Sequence, residues 1–321
     1  MRKQIIVTGG AGFIGSNLIA ALNERGIDNI LIVDHLASSE KWKNLVQLRF
    51  EDYLDRETFL DCINQQKLPP VDALFHFGAC TSTTETNSDY LLDNNFRYSR
   101  SLCEWAVSKN VRFIVASSAA TYGDGQMGYS DGDAHTTKLR PLNMYGYSKH
   151  LFDLWAHRNG LYGKIAGLKF FNVYGPGESH KGEMCSVVLK AYRQIMEAGE
   201  VKLFKSHNPA YRDGEQLRDF IYVRDAVAVA LFLFDRRDIA GLFNCGTGEA
   251  RSWLDLVHSV FRAMGKDPKI RFIDIPESIR SKYQYFTKAE MKKLRSAGFQ
   301  DQFTRLEDGV RDYVHNYLQR A

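Results

Sequence analysis

Two groups of residues, about 130 positions apart, could carry out redox chemistry together. Tyr145 and Lys149 stand at positions i and i+4, so a helix would present a phenol and an ammonium on one face. An adjacent ammonium favours phenolate, which would lower the pKa of Tyr145 and make it a general base near neutral pH. Gly9, Gly12 and Gly15 have the spacing of a turn that receives the pyrophosphate of a dinucleotide. Together the two groups predict an enzyme that transfers a hydride between a nicotinamide and a hydroxyl-bearing carbon.

The elements that must position these residues alternate between strand and helix. Apolar runs predict strands at residues 4–8, 29–33, 45–50, 73–77, 112–117 and 165–171. Amphipathic stretches predict helices at residues 13–25, 56–66, 90–109 and 145–157. Apolar strands that alternate with helices indicate a parallel sheet covered on both faces. The predicted fold class is therefore α/β, with a Rossmann-type doubly wound parallel sheet.

The pattern changes after residue 172. Loops lengthen, and further helices are expected at residues 186–198, 223–234 and 253–264. We therefore expect residues 1–172 to form the dinucleotide-binding Rossmann domain. Residues 173–321 are expected to form mainly a smaller C-terminal α/β domain that binds substrate, with the chain free to cross back between the two.

Composition narrows the class of protein. The 321 residues are 44% hydrophobic and 25% charged, with a formal net charge of +4, as is ordinary for a soluble globular protein. No block of Lys and Arg resembles a nucleic-acid arm, and no apolar run is long enough to span a membrane. The five cysteines are odd in number and include no C-x-x-C, which argues against a metal site or disulfides. Without a signal-peptide pattern, these features predict a cytoplasmic protein.

The adenosine end of the expected cofactor site leaves two alternatives open. Asp34 ends the second strand and is the candidate ligand of the adenosine ribose, which favours NAD. Lys41 and Arg56 follow and could pair with a 2′-phosphate, which favours NADP, or could be solvated surface charges. The segment 77–80 follows the fourth strand, and its small residues suit either a wall against the cofactor or a tight turn.

Four further residues follow strands or turns at the same expected edge of the sheet. Ser118 ends the fifth strand, where a hydroxyl can hold the reacting oxygen. Asn172 follows the sixth strand and could donate to a substrate phosphate or hydroxyl. Lys181 comes after a Gly/Pro turn and is a candidate second acid/base group. Tyr122 is either a pocket wall or a packing residue.

Several segments carry a family resemblance. TGGAGFIG at 8–15, SSAATYG at 117–123, the Tyr-x-x-x-Lys pair and FNVYGP at 171–176 resemble, in this order, extended short-chain dehydrogenase/reductase enzymes that act on nucleotide sugars. ACTSTTE at 79–85, HKGEM at 180–184, RDFIYV at 218–223 and YQYFT at 283–287 closely resemble the ADP-glyceromanno-heptose 6-epimerases of that group. The resemblance extends along essentially the whole chain.

The resemblance implies an isomerase that inverts C6 of ADP-D-glycero-D-manno-heptose by transient oxidation and re-reduction, for the inner core of lipopolysaccharide. It also implies a homo-oligomer with tightly bound NADP, NAD remaining possible. Tyr145 and Lys181 would be the acid/base groups, assisted by Ser118 and Lys149. The cofactor would be lined by Gly9, Gly12, Phe13, Ile14, Gly15, Asp34, His35, Lys41, Arg56, Phe77, Gly78, Ala79, Cys80, Thr81, Asn94, Lys149, Val173 and Lys181. The substrate would contact Ser118, Asn172, Glu183, Lys190, Phe204, Lys205, Ser206, His207, Arg218 and Tyr283.

The chain departs from the common pattern of these epimerases at Phe77, Glu183 and Lys190, and residues 208–216 resemble an insertion. Another nucleotide-sugar epimerase, such as a UDP-hexose 4-epimerase, is the alternative function. A dehydratase typically has an Asp-Glu pair near the serine segment, which residues 118–121 lack. A dinucleotide-binding regulator without catalysis would often lack the tyrosine or the lysine, and both are present here.

Overall fold

The computed structural model describes residues 3–280 and 283–320, which form twelve strands arranged in three sheets. The strands are β1 Gln4–Thr8, β2 Ile30–Asp34, β3 Asp52–Asp55, β4 Val71–His76, β5 Arg112–Ser118, β6 Ala166–Phe170, β7 Asn172–Tyr174, β8 Val201–Phe204, β9 Leu217–Tyr222, β10 Gly241–Cys245, β11 Ala250–Ser252 and β12 Ile270–Ile273. The large sheet has seven parallel strands in the order β10-β6-β5-β4-β1-β2-β3. The predicted doubly wound α/β fold is confirmed.

Helices of very different length connect the strands. They are α1 Phe13–Glu24, α2 Arg56–Asn64, α3 Ser88–Leu91, α4 Tyr98–Ser108, α5 Asp133–Thr136, α6 Met144–Arg158, α7 Val187–Ala198, α8 Val223–Asp235, α9 Trp253–Ala263, α10 Glu277–Arg280, α11 Lys292–Ser296 and α12 Leu306–Tyr313. A π-helical turn, Leu92–Arg97, joins α3 to α4, and a 3₁₀ turn, Ser179–Met184, lies between β7 and α7. None of the described helices is both long and apolar enough to cross a membrane.

Both faces of the large sheet are covered, because its central strands are apolar on both sides. Leu18 and Ile19 of α1 and Val229 of α8 pack on one face. Leu102 of α4 and Phe152 of α6 pack on the other face. Burial on both faces explains why these strands read as continuous apolar runs rather than as alternating ones.

The second part of the chain both extends the large sheet and builds a smaller unit beside it. Residues 223–245 contribute α8 and the edge strand β10 to the large sheet. The smaller unit contains the sheets β11-β9-β7 and β12-β8. Its core is formed by α7, α9 and α12, through side chains such as Leu189, Val260 and Val310. Residues of the smaller unit, such as Phe220 and Trp253, line a cavity together with Ser118 and Phe170 at the carboxyl ends of β5 and β6, where ligands bind in open α/β sheets.

Two predicted elements differ from the structure. The strand predicted at 45–50 is wrong, since Glu40–Leu45 is a 3₁₀ turn and the strand begins later, at Asp52. Leu48 and Phe50 pack on the core from irregular backbone, which produces an apolar run without a strand. The helix predicted at 90–109 is divided by the π-helical turn Leu92–Arg97.

Candidate active site

A glycine turn joins β1 to α1 and opens into a cavity of about 400 Å³. Gly9 has φ +69°, and a Cβ there would come 2.6 Å from the Gly78 nitrogen. A Cβ on Gly15 would come 2.1 Å from the Gly9 carbonyl oxygen. Among the described residues, no side chain caps the first turn of α1, so its N–H groups remain free for a ligand. This turn fits the pyrophosphate of a dinucleotide, which binds at such helix N-termini.

Asp34, at the end of β2, lines a second, smaller cavity of about 160 Å³. Its carboxylate accepts hydrogen bonds from the Ala11 and His35 backbone nitrogens, at 2.9 and 2.7 Å. The Lys41 ammonium donates to the same carboxylate at 2.6 Å. Arg56 donates to the side-chain oxygen of Asn94. Lys41 and Arg56 are therefore engaged at the cavity wall rather than freely solvated.

Tyr145 and Lys149 project from the first turns of α6. The helix begins after Asn143, whose side chain accepts a hydrogen bond from the Gly146 nitrogen at 2.8 Å. Lys149 is 4% exposed, and its ammonium donates to the Ala116 carbonyl on β5 at 2.9 Å. Burial lowers the pKa of Lys149 to about 8. This regular helix fixes both side chains against the edge of the sheet.

The pKa of Tyr145 moves in the direction opposite to the one predicted. Burial raises it, and a hydrogen bond with Ser118 only partly offsets that effect. The prediction that Lys149 lowers this pKa is wrong for the described arrangement. The physical reason is that desolvation of the phenolate dominates, while the lysine ammonium is directed at the carbonyl of Ala116.

A buried polar network lies behind the two residues. Asp153, one helical turn after Lys149, accepts from Lys169 of β6 at 2.7 Å, and both side chains are 0% exposed. The Asp153 carboxylate also accepts from Ser117 at 2.8 Å and from Tyr162 at 3.0 Å. The buried carboxylate thus accepts hydrogen bonds from three side-chain donors, one of them a cation, as a buried charge requires.

Lys181 approaches the site from the 3₁₀ turn Ser179–Met184. Its ammonium lies 5.5 Å from the centre of the Phe13 ring at the start of α1. Burial lowers its pKa, whereas the charge of Glu178 raises it. Lys181 and Tyr145 line one cavity of about 360 Å³, which Ser118 also lines.

The structure brings together all the residues predicted to contact the cofactor. Each of them lines at least one of the three cavities. The cavities share parts of their walls: Phe13 and Lys181 line both the 360 Å³ and the 400 Å³ cavities, and Gly9 and Asp34 line both the 400 Å³ and the 160 Å³ cavities. The binding roles of these residues stay predictions, which their shared location supports.

The residues predicted to contact the substrate are more dispersed. Ser118 and Asn172 line the 360 Å³ cavity. The others lie outside its wall: Glu183, Lys190, Phe204, Lys205, Ser206, His207, Arg218 and Tyr283. Glu183 pairs with Lys190 at 3.3 Å on the surface. The guanidinium carbon of Arg218 lies 5.4 Å from the ring centre of Trp253 and 5.2 Å from the ring centre of Tyr283. Of these two aromatic residues, Trp253 lines the cavity.

The sequence model of the NAD dependent epimerase/dehydratase family matches residues 5–246. The chain belongs to this family. Its description supports the predicted nicotinamide dinucleotide cofactor, without distinguishing NADP from NAD.

Relatives and solved structures agree with this membership. The chain is 58% identical over 317 residues to the ADP-L-glycero-D-manno-heptose-6-epimerase of Nitratidesulfovibrio vulgaris, with 98% of each chain covered. The crystal structure of the Helicobacter pylori enzyme of the same name is 30% identical, with a TM-score of 0.83 over 98% of this chain and 96% of that one. A Thermus thermophilus UDP-glucose 4-epimerase complex with NAD is 23% identical and shares the fold, with a TM-score of 0.79 over 99% and 100% of the chains.

Sequence reasoning did not single out two residues at or beside the candidate site, Trp253 and Asn95. Trp253 lines the cavity, and the capping box of Ser252 and Asp255 marks the start of its helix. The side chain of Asn95 bonds both the N–H and the carbonyl of Cys80 at 2.9 Å. It also donates to Ser148, between Tyr145 and Lys149 in sequence, at 3.0 Å. No sequence pattern pairs Asn95 with Cys80 and Ser148, because tertiary packing brings them together.

Two other tyrosines that lie near Ser118 and Tyr145 in sequence, Tyr122 and Tyr147, do not line the 360 Å³ cavity. Tyr122 is 2% exposed and donates to the Asn244 side chain at 2.7 Å, so it is a packing residue. Tyr147 points away from Tyr145 on α6 and is 44% exposed.

Proposed function

We propose that the chain is an epimerase that interconverts ADP-D-glycero-D-manno-heptose and ADP-L-glycero-D-manno-heptose at C6. The names of the relatives from Nitratidesulfovibrio vulgaris and Helicobacter pylori support this substrate, at identities of 58% and 30% over nearly the whole chain. The observation that carries the reaction type is the single cavity that Tyr145 and Lys181 both line, and that shares its wall with the glycine turn.

The chemistry follows from the substrate's stereocentre. A carbon that bears only a hydroxyl has no acidic C–H, so direct deprotonation is very costly. A nicotinamide cofactor, held by the residues that line the glycine-turn cavity, would supply the hydride chemistry by which this carbon can lose and regain its configuration. Tyr145 and Lys181 would take up and supply the hydroxyl proton on the two sides. Ser118, hydrogen-bonded to Tyr145, would hold the reacting oxygen.

We propose NADP as the cofactor because of the charges around Asp34. A free carboxylate at this position would repel a 2′-phosphate, but Lys41 neutralises it at 2.6 Å. Arg56 lines the same cavity and adds a second cation. A ribose 2′-phosphate would therefore meet a net positive wall, which is the environment that phosphates favour.

The cofactor proposal is tested by the binding constants of NADP and NAD, measured by equilibrium dialysis. Lys41→Ala should weaken NADP binding by about tenfold, since it removes a charge-assisted hydrogen bond. Binding of NAD should change by less than about twofold. Lys43→Ala is the control, because Lys43 is exposed and pairs with Glu40 on the same turn. An equal loss for both cofactors would contradict the NADP assignment.

The substrate proposal is tested by proton NMR of the purified chain with ADP-D-glycero-D-manno-heptose and no added cofactor. We expect conversion to the L-glycero isomer, since a cofactor regenerated in each turnover can stay bound. If no conversion occurs even with added NADP⁺, while UDP-glucose and UDP-galactose interconvert, the chain is instead a UDP-hexose 4-epimerase.

Two further proposals depend on this activity. The L-glycero product would supply the heptose of the lipopolysaccharide inner core. The chain would work as a homo-oligomer. Sedimentation velocity at micromolar concentration tests the second point, and a monomer that retains full activity would contradict it.

A further inference from the structure

Ser118 is the last residue of β5 and lines the 360 Å³ cavity. Its hydroxyl accepts a hydrogen bond from the Ala120 nitrogen at 3.1 Å, on the 3₁₀ turn Ala119–Tyr122 that follows the strand. That turn has only four residues, so contacts outside it must help to hold the hydroxyl in place. The side chains of two neighbours, Ser117 and Thr121, make such contacts.

A buried threonine holds the backbone of Ser118 from one side. Thr121 is 0% exposed, and its hydroxyl donates to the Ser118 carbonyl at 2.7 Å. The same hydroxyl oxygen accepts a hydrogen bond from the Lys169 ammonium at 2.6 Å. Because an ammonium can only donate, the single proton of the Thr121 hydroxyl is left for the Ser118 carbonyl. The charge of Lys169 therefore fixes the direction in which the Thr121 hydroxyl points.

The residue before Ser118 is bonded to the counter-charge of the same lysine. The Ser117 hydroxyl donates to the Asp153 carboxylate at 2.8 Å, and the same carboxylate oxygen accepts from Lys169 at 2.7 Å. Lys169 is also paired with Ser117 in the register of β5 and β6, so their two side chains project from one face of the sheet. Ser118 thus lies between Ser117 and Thr121, both of which are bonded to one buried ion pair.

This ion pair also connects the end of β5 to the helix that carries Tyr145. Tyr145, Lys149 and Asp153 are spaced by four residues, so they form one stripe on α6. Tyr145 shares a hydrogen bond with Ser118, and Lys149 donates to the Ala116 carbonyl. The stripe therefore contacts the end of β5 at three places, and the Asp153 carboxylate is the one that does not line the cavity.

The burial of the pair calls for a reason beyond stability. The side chains of Asp153 and Lys169 are both 0% exposed, and the ammonium lies 5.0 Å from the ring centre of Tyr122. An apolar pair of similar volume is often as stable as a buried ion pair, because the two charges lose their hydration. The hydrogen bonds that the pair makes on both sides of Ser118 supply a different reason, which is position.

We propose that the Asp153–Lys169 pair positions Ser118 for the reaction, with Ser117 and Thr121 as its two links. This rests on the proposed function, in which Ser118 holds the reacting oxygen. Asp153, Lys169 and Thr121 do not line the cavity, and Ser117, which does, directs its hydroxyl to Asp153. These four are positioning residues that act through Ser118. A misplacement of about 1 Å can lower a rate by about 10²-fold.

The first test is Thr121→Val, which keeps the shape of the side chain and removes the hydroxyl. We expect kcat to fall by about tenfold or more, with KM and the Kd of NADP changed by less than about twofold. Thr121→Ser keeps the hydroxyl and should hold kcat within about threefold of the wild type. The control is Thr136→Val, since Thr136 is 2% exposed on α5 and lines none of the three cavities. A folded Thr121→Val variant with wild-type kcat would overturn the proposal.

A double variant separates action through Ser118 from a general loss of structure. In Ser118→Ala the hydroxyl to be positioned is gone, so adding Thr121→Val should lower kcat by less than about twofold further. The same tenfold loss in both backgrounds would show that Thr121 acts independently of Ser118, and the proposal would fail.

Crystal structures of the full chain with NADP test the positioning without substrate. In Thr121→Val, the distance between the hydroxyl oxygens of Ser118 and Tyr145 should increase beyond about 3.5 Å. If this variant does not fold, Ser117→Ala breaks the other link and should displace the Ser118 hydroxyl by a smaller amount. An unchanged Ser118 in the folded variant would overturn the proposal. A displaced Ser118, in a chain whose wild type epimerises neither ADP-heptose nor a UDP-hexose, would contradict the proposed function and leave the positioning intact.

Discussion

The two lysines of the site are held by different means. Lys149 projects from a regular helix and donates to the backbone of β5, with Asp153 one turn behind it. Lys181 projects from a short 3₁₀ turn that side chains attach to α1 and α7. Each lysine nevertheless has a buried carboxylate close in sequence, Asp153 at i+4 and Glu178 at i−3. We call the part of the site that carries Tyr145 and Lys149 the sheet side, and the segment that carries Lys181 the loop side. The sheet side is positioned by regular backbone structure, whereas the loop side is positioned by side-chain hydrogen bonds.

This difference has a physical consequence for motion. A helix docked on a parallel sheet opens only when a large unit unfolds, whereas a loop held by a few hydrogen bonds opens locally. We expect the Tyr145 side to be rigid and the Lys181 side to adjust as ligands enter.

Tyr145→Phe has the largest expected effect on activity. Removing a positioned acid/base group should lower kcat by roughly 10²- to 10⁴-fold. Tyr147→Phe, on the same helix but 44% exposed, is the matched control and should keep kcat within about twofold. The rates come from the NMR assay of epimerisation. A loss below tenfold in Tyr145→Phe would remove this phenol from the chemistry.

Asp153→Asn should strongly weaken the sheet side. The change leaves the Lys169 ammonium buried and without its counter-charge, which costs about 3–5 kcal/mol in the free energy of unfolding. Glu104→Gln breaks the half-exposed Arg100–Glu104 pair and should cost no more than about 1 kcal/mol. Urea unfolding followed by circular dichroism measures both. Equal losses in the free energy of unfolding for the two variants would contradict the prediction that the buried Asp153–Lys169 pair contributes more to stability than the half-exposed pair.

The pH dependence of kcat reports on Lys149. Because burial lowers the pKa of this lysine to about 8, the ammonium is present below that pH and is lost above it. If the site needs the ammonium, kcat should halve near pH 8 and fall about tenfold for each further unit. Circular dichroism at each pH controls for unfolding. A profile that stays flat to pH 10 would show that the charge is not needed.

Asn44→Ala should have the smallest effect and act only on the loop side. Its amide donates to the Ala11 and Gly177 carbonyls, both at 3.0 Å, and its loss should cost about 1 kcal/mol. Hydrogen exchange should speed up in residues 175–186 and not in α6. Asn159→Ala removes a bond to the Trp155 carbonyl at the exposed end of α6 and serves as the control. Faster exchange in α6 in Asn44→Ala would contradict the separation of the two sides.

Most of the fold, and the grouping of the candidate cofactor-binding residues around the three cavities, could be predicted from local pattern. The glycine turn, the acid at the end of β2 and the Tyr-x-x-x-Lys pair depend on short spacings that a strand–turn–helix unit imposes. The strand predicted at 45–50 was wrong, because apolar side chains can pack on a core from irregular backbone. Residues 223–245 return to the large sheet, where β10 pairs with β6, although they come after residue 172. Local sequence pattern does not show which sheet a later strand joins.

Local sequence patterns were enough to predict the fold class, the family and the elements that present Tyr145, Lys149 and the glycines. The electrostatics of the site depend on the tertiary structure. Spacing predicted that Lys149 lowers the pKa of Tyr145, but burial raises it and directs the lysine to Ala116. Likewise, nothing local marks Glu178 as the partner of Ser186. Desolvation and long-range pairing depend on which atoms surround a group in three dimensions, and spacing along the chain does not contain that information.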